Sequence, residues 1–423
     1  MMPLVGSGAD NSFGMESMPD KARNEPGSVT NVLILGTAEW DSAIATNQHY
    51  VTRELAAAAE VTFVESLGLR RPTLRRADLA RMAARGRRAF ASAAPADGPS
   101  APGRARPEHT RIVSPIVVPV HRAPTRLLNR TLLRRSTAGW LESSRPRVLW
   151  TFTPVTYGLE NAADVVIYHC VDLLAKFPGI DGVAVGRGER SLAARPGIVA
   201  IATSQAVHEH LVGTGFPRVE LLQNVADVSV FAEGSRPAAE RRPSVIFSGN
   251  LTTAKLDMPL LRSVAVALRG RGDLLLAGPL AAGGGSFTAE LRELEELGAR
   301  YLGLLTPKEL AAAAGTCTVG LIPYAINDYT TGVSPLKCFE YLSSGLAVLS
   351  TPLPSVRALA QTNPYVVAAD GADLLHHLSR MLAPVTDDVL ADRVDSAGRH
   401  GWGERGQVLR DLLAAELARL PVR

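Results

Sequence analysis

The stretch Thr330-Thr-Gly-Val-Ser-Pro-Leu-Lys-Cys-Phe-Glu-Tyr-Leu-Ser-Ser-Gly-Leu-Ala-Val-Leu-Ser350 has the residue types and spacing to hold an anion. A loop containing Gly332 and Val333 runs into Ser334, which reads as a helix N-cap, and Pro335, where a missing N–H costs nothing. The N–H groups of Leu336 and Lys337, at the positive end of the helix, are then expected to face a phosphate. Glu340 follows one turn later on the face of Leu336 and Lys337, placed to accept hydrogen bonds from a sugar ring beside that anion. Gly345 ends the helix, and Ala347-Val-Leu-Ser350 reads as the next buried parallel strand. A phosphate turn with a carboxylate beside it suggests a nucleotide.

A second group of candidates follows an apolar run at 165–169. His169 ends it and Asp172 lies just beyond it, where parallel sheets place their ligands. A histidine there can hydrogen-bond a sugar or simply complete the core; Asp172 can orient a hydroxyl or act as a base. Tyr324, ending another apolar run, walls a donor pocket or packs. Glu39 and His49 near the first strand are weaker cleft candidates, His49 falling within a helix. The run Gly283-Gly-Gly-Ser286 connects elements or approaches a base, and matches neither a dinucleotide fingerprint nor a Walker loop.

These residues need a scaffold, and the rest of the chain supplies the pattern of one. Its 423 residues suffice for two full cores, with 46% hydrophobic and 20% charged residues. The three cysteines, Cys170, Cys317 and Cys338, are widely spaced and imply buried thiols rather than disulfides or a metal cluster. No apolar run spans a bilayer and no signal-peptide core opens the chain, so a cytoplasmic protein is expected. Residues 1–30 read as a disordered tail, with Met15 or Met18 an alternative start. Strand signals at 31–37, 61–65, 111–120, 147–152, 165–169, 198–203 and 219–222 alternate with helical ones, beginning at 46–59. The stretch 93–107, rich in Ala, Pro, Gly and Arg, reads as a mobile loop. After a polar linker the pattern restarts at 244–249 and continues at 273–277, 317–322, 347–350 and 365–368. The expectation is an α/β protein with two parallel-sheet domains, 31–235 and 244–385, and closing helices at 386–423. The last helix, 402–420, must pack on something, and the first domain is a candidate.

The net charge of +4 is unevenly placed. Arg70, Arg71, Arg75, Arg76, Arg81, Arg85, Arg87 and Arg88 crowd one expected helix and its approach. They form a solvated face, or meet an anionic membrane surface or an anionic acceptor at the inner membrane face. Nucleic acid is not expected, because no aromatics are interleaved with the arginines.

Several short motifs, in order, give the chain a resemblance to GT-B glycosyltransferases of family 4, in the teichuronic-acid-type branch. Trp40-Asp41, Asn47-Gln-His-Tyr50 and Arg53-Glu-Leu-Ala56 resemble the branch's opening. Leu149-Trp-Thr-Phe-Thr-Pro154 and Tyr168-His-Cys-Val-Asp172 match strand ends that face the interdomain cleft. Thr203-Ser204, Glu209-His-Leu211, Gln223-Asn-Val-Ala-Asp227 and Phe231 resemble the transit to the second domain. Ser248-Gly-Asn-Leu251 with Lys255 is similar to "GRLxxxK", and Phe339-Glu-Tyr-Leu-Ser-Ser-Gly345 to "xEYLAxG". The resemblance implies two Rossmann-like domains facing a cleft, with a C-terminal helix returning to the first. It also implies transfer of a sugar from a UDP-, GDP- or dTDP-linked donor to an acceptor hydroxyl, with retention and with neither metal nor cofactor. Gly249, Asn250, Lys255, Tyr324, Gly332, Val333, Ser334, Leu336, Lys337 and Glu340 would bind the donor. His169 and Asp172 would serve the chemistry, and Trp40, Asp41 and His49 the acceptor side.

The chain departs from the family pattern in three places. The first carboxylate of E-x7-E is Gly332, while the second is kept as Glu340. The arginine of "GRLxxxK" is Asn250, which removes a bidentate phosphate contact and leaves more to Lys255, Lys337 and the helix start. Asn224-Val-Ala-Asp227 lacks the usual turn glycine. These losses keep two alternatives open, a degenerate GT-B protein that activates a partner transferase and a sugar-nucleotide epimerase.

Overall fold

The computed structural model describes residues 30–42, 44–68, 104–118, 123–280 and 287–421. The expected N-terminal tail apart from Thr30, which already belongs to the first strand, the arginine-rich helix, the 93–103 part of the expected loop and Gly283–Ser286 lie outside the described residues.

Among the described residues thirteen strands form two sheets in which every pairing is parallel. The first holds β1 (Thr30–Leu35), β2 (Ala59–Val64), β3 (Thr110–Val113), β4 (Arg147–Thr151), β5 (Val165–Cys170), β6 (Val199–Ala202) and β7 (Val219–Leu221). Its order is β3-β2-β1-β4-β5-β6-β7. The second holds β8 (Ser244–Ser248), β9 (Asp273–Ala277), β10 (Ala299–Tyr301), β11 (Val319–Ile322), β12 (Ala347–Ser350) and β13 (Val366–Ala368), in the order β10-β9-β8-β11-β12-β13. Each sheet is therefore doubly wound, and its order reverses once, between β1 and β4 and between β8 and β11. Strands covered on both faces should read as unbroken apolar runs. The central strands do so: Val32 to Leu35, Val165 to Tyr168 and Val245 to Phe247 are all buried.

The edges differ from the sequence expectation. β3 ends at Val113 rather than near residue 120, because the chain leaves the sheet at Ser114, whose hydroxyl donates to Glu65 Oε2. β10 was not expected at all. It is three residues long with the charged Arg300 at its centre, too short for a hydrophobic period to show.

The first helix runs Asn47–Ala56. Its entry is fixed by the Thr46 N–H, which donates to His49 Nδ1 at 3.0 Å. The last helix, Trp402–Ala418, comes after the second sheet yet packs on the first domain. Trp402, Leu409 and Leu413 share a core with Val32, Ile34, Val51 and Leu55. The Tyr50 ring stacks on Trp402 with centroids 4.8 Å apart, and Arg410 pairs with Glu54 at 2.9 Å. All three cysteines are buried free thiols. No described helix is long and apolar enough to cross a membrane.

Candidate active site in the cleft

Reversal of strand order between β8 and β11 opens a crevice at their carboxyl ends, where open α/β sheets bind ligands. The chain leaving β8 supplies Gly249, Asn250 and Lys255; the chain leaving β11 supplies Tyr324 and the 330–340 segment. Gly249 has φ +144°, and a Cβ added to it would stand 2.8 Å from Lys337 Cε and 3.2 Å from Lys337 Nζ. The absence of a side chain at 249 is what lets the Lys337 ammonium lie against the end of β8. Burial alone would lower the pKa of Lys337, but the neighbouring Tyr324, Glu340 and Cys338 together raise it, so it stays charged. Burial raises the pKa of Glu340; the Lys337 charge opposes that rise and Asp227 adds to it.

Ser334 is not the expected cap. The helix runs Lys337–Ser343, with Leu336 at the cap position and no side-chain capping bond. The reason is a contact from the other domain. Asn224 Nδ2 donates to the Ser334 carbonyl at 2.7 Å, and Asn224 Oδ1 accepts from Asn47 Nδ2 at 2.5 Å. The turn then closes later, Cys338 N–H bonding to Pro335 O and Phe339 N–H to Leu336 O. Leu336 and Lys337 thus carry the N–H groups just ahead of the first closed turn, as the sequence suggested, although their cap is different.

A second cluster crosses the cleft. Lys255 Nζ sits 4.3 Å from the Tyr324 ring centroid and 5.9 Å from that of Tyr329. Tyr329 Oη donates to Asp172 Oδ2 at 3.3 Å, joining β11's exit loop to the residue that follows β5. Burial raises the pKa of Asp172, while the Lys255 charge and the Tyr329 hydrogen bond pull it back down. Lys255, Tyr324 and Asp172, chosen separately from sequence, are thereby brought together, with Tyr329 as the member that sequence reasoning missed.

His169 has a different setting. It is 4% exposed, stacks on Phe152 at 4.8 Å and accepts from Trp150 Nε1 at 3.4 Å. Burial, reinforced by Arg405, lowers its pKa to about 3, so the ring is neutral and packed at the end of the core. Gly332 and Val333 also face inward. A Cβ on Gly332 would stand 2.7 Å from Leu173 Cγ, and the Gly332 carbonyl accepts from Ser204 Oγ at 2.7 Å. The Val333 carbonyl accepts from Ser355 Oγ at 2.7 Å. The place where the family pattern has its first glutamate is occupied by a close contact between the two domains.

The acceptor-side candidates border a cavity of 520 Å³ between the domains. Trp40, Asp41, His49, Tyr50, Arg53 and Arg104 line it from the first domain, and the 304–307 loop from the second. Trp40 is held by its N–H to Glu65 Oε1 at 2.8 Å and by Nε1 to the Arg104 carbonyl at 3.3 Å. His49 bridges the Thr46 N–H and, through Nε2, the Glu39 carbonyl at 3.1 Å. Burial, with a contribution from Arg104, lowers its pKa to about 4; it is a neutral strut for the loop after β1. Tyr50 and Arg104 were not singled out from the sequence. Tyr50 lay within a quoted motif; Arg104 lay in a stretch whose composition gave no signal beyond a loop. Among the described residues no group of His, Cys, Asp and Glu side chains is arranged to hold a metal ion.

No family model matches the chain. A stretch of 158 residues is 28% identical to TuaH of Bacillus subtilis (strain 168), a presumptive teichuronic acid biosynthesis glycosyltransferase; the match spans 36% of this chain and 38% of that protein. Solved structures align over almost the whole chain. Sucrose-phosphate synthase of Thermosynechococcus elongatus has a TM-score of 0.63 at 15% identity, covering 91% of this chain and all of that one. A UDP-forming trehalose-phosphate synthase of Burkholderia xenovorans gives 0.60 at 13% identity, covering 94% and 100%. Anabaena HepE, solved with UDP-glucose, gives 0.57 at 11% identity, covering 91% and 99%. With two doubly wound parallel sheets facing a cleft and a last helix returned to the first, the chain has the GT-B fold.

Proposed function

We propose that the protein transfers a sugar from a nucleotide-diphosphate donor to an acceptor hydroxyl in the interdomain cleft. The observation that carries this reading is the Lys337 ammonium seated against Gly249, with Glu340 one turn away on the same helix. A diphosphate leaving group gains negative charge as the anomeric bond breaks. Lys337, the N–H groups of Leu336 and Lys337, and Lys255 offer fixed positive charge where it develops. Glu340 is assigned to the ribose hydroxyls.

In this proposal the reaction retains anomeric configuration and uses no metal, the departing phosphate taking the acceptor proton. Asp172 then orients the acceptor, held by Tyr329 at 3.3 Å. His169 is assigned no contact with the sugar, because its ring is packed into the core. UDP is the first nucleotide to test, since the HepE structure holds UDP-glucose.

The test is thermal stabilisation by UDP, GDP, dTDP and their sugars in EDTA. A ligand bound only by the native state raises the melting temperature, by about 2.7 kcal/mol of stability at a hundredfold excess over Kd. A shift with one nucleotide series, lost in Glu340→Ala, is expected. No shift with any of them would overturn the proposal in favour of a degenerate fold that acts through a partner, a reading that Gly332 in place of the first carboxylate favours.

A further inference from the structure

Arg104 enters the cleft wall with part of its guanidinium unused. Nη2 donates to the Ser42 carbonyl at 3.2 Å, whereas Nη1 is buried without a hydrogen-bond partner among the described residues. A buried donor left unsatisfied costs about 1–3 kcal/mol, and more when charged, so native structures keep few of them without a reason. Burial lowers the pKa of Arg104 and the nearby Tyr50 and Asp41 raise it; a guanidinium stays charged under such opposing pulls.

The surroundings leave this charge available. His49, in the same 520 Å³ cavity, has both ring nitrogens engaged within its own loop. Arg53 is already committed to Glu54 at 2.9 Å and Asp227 at 4.0 Å. Asp41 is the exposed carboxylate among the described residues of the cavity, suited to a hydroxyl rather than to an anion. The helix that carries His49, Tyr50 and Arg53 is tied through Asn47 and Asn224 to the Ser334 carbonyl, at the start of the proposed donor segment.

We infer that Arg104 receives an oxyanion carried by the acceptor, a phosphate or carboxylate whose oxygen satisfies Nη1 while Asp41 faces a hydroxyl of the same molecule. The word acceptor rests on the transferase reading; the oxyanion site does not.

The experiment titrates the full chain with inorganic phosphate and, in parallel, malonate at constant ionic strength, with and without saturating UDP. Wild type is expected to bind one of the two saturably, and UDP should leave that binding in place. The preferred ion separates a phosphate from a carboxylate. Arg104→Gln should weaken the oxyanion about 10-fold or more while UDP binding is unchanged, as expected for a lost charge-assisted hydrogen bond. Glu340→Ala should do the reverse. If Arg104→Gln proves unstable, Arg104→Lys, which keeps the charge but not the fork, should still weaken the oxyanion. Equal affinities in wild type and both Arg104 variants would overturn the inference, as would absence of saturable binding or displacement by UDP. Failure of UDP to bind would count against the transferase reading alone, since the Arg104 comparison is read equally well without nucleotide.

Discussion

Lys337 reaches back from the helix after β11 to lay its ammonium on Gly249 at the end of β8, 3.2 Å from where a Cβ would stand. The residue next to that glycine is Asn250, where the family pattern has an arginine. A lysine from another segment thus brings positive charge to the same strand end. Lys337→Ala is expected to cost about 1.5–3 kcal/mol of diphosphate affinity, roughly 10- to 150-fold, as for a charge-assisted hydrogen bond. Gly249→Ala should also weaken binding, because its Cβ displaces the ammonium and a side chain at φ +144° is strained. Calorimetric titration with UDP reads both. Wild-type affinity in Lys337→Ala would remove this lysine from the donor site.

Asp172 is balanced between burial, which raises its pKa, and the Lys255 charge with the Tyr329 hydroxyl, which lower it. Removing Lys255 takes away a stabiliser of the carboxylate, so the pKa must rise. If Asp172 works ionised, Lys255→Met should shift the acid limb of the kcat profile to higher pH at saturating donor, and Tyr329→Phe should shift it in the same direction. Asp172→Asn should abolish the limb along with most of the rate. An acid limb that stays fixed in both variants would assign it to another group.

Gly332 is glycine because Leu173 fills the space in front of it. A Cβ placed 2.7 Å from Leu173 Cγ requires the Leu173 side chain or the segment that carries it to move. Gly332→Glu, which restores the family carboxylate, should therefore lower the unfolding midpoint by about 1–3 kcal/mol, the usual cost of overpacking. Gly332→Glu with Leu173→Ala should recover part of that loss, and urea denaturation of the two variants measures it. Equal destabilisation in the single and double variants would show that Leu173 is not the obstacle.

The central strands of both sheets were legible because buried parallel strands need unbroken apolar runs, and Val245-Ile-Phe247 or Val348-Leu349 can hardly be read otherwise. What escaped depended on residues distant in sequence. Ser334 has the sequence of a cap, but Asn224, 110 residues away, holds its carbonyl and moves the helix start to Lys337. Lys337 was a candidate from local spacing, yet its seat on Gly249 follows only from the β8–β11 pairing. Tyr329 and Arg104 carried no motif; Tyr329 acquires meaning from Asp172 across the cleft, and Arg104 from its bond to the Ser42 carbonyl in the cavity wall. His169 was read as ending a strand, but β5 runs one residue further to Cys170, and the Trp150 and Phe152 rings pack the imidazole.

A pH effect on stability separate from catalysis comes from the back of the first domain. His210 Nε2 meets Glu189 Oε2 at 2.9 Å, and Tyr168 Oη donates to Oε1 of the same carboxylate at 3.1 Å. The Glu189 hydrogen bond raises the pKa of His210 against the lowering effect of burial. A group whose folded pKa is raised contributes stability that is fully present below its unfolded pKa, about 6.5 for histidine. That stability is lost as pH rises through the higher folded value. Urea midpoints of wild type should accordingly fall as pH rises above about 6.5, by more than those of His210→Gln, which has no proton to lose. The difference should be small, because the imidazole is 37% exposed and solvent screens the pair. Glu189→Gln should also remove the His210 contribution to the pH slope, while costing more stability than His210→Gln, since it alters the partner of the buried Tyr168 as well. A pH slope unchanged in both variants would place the titration elsewhere in the chain.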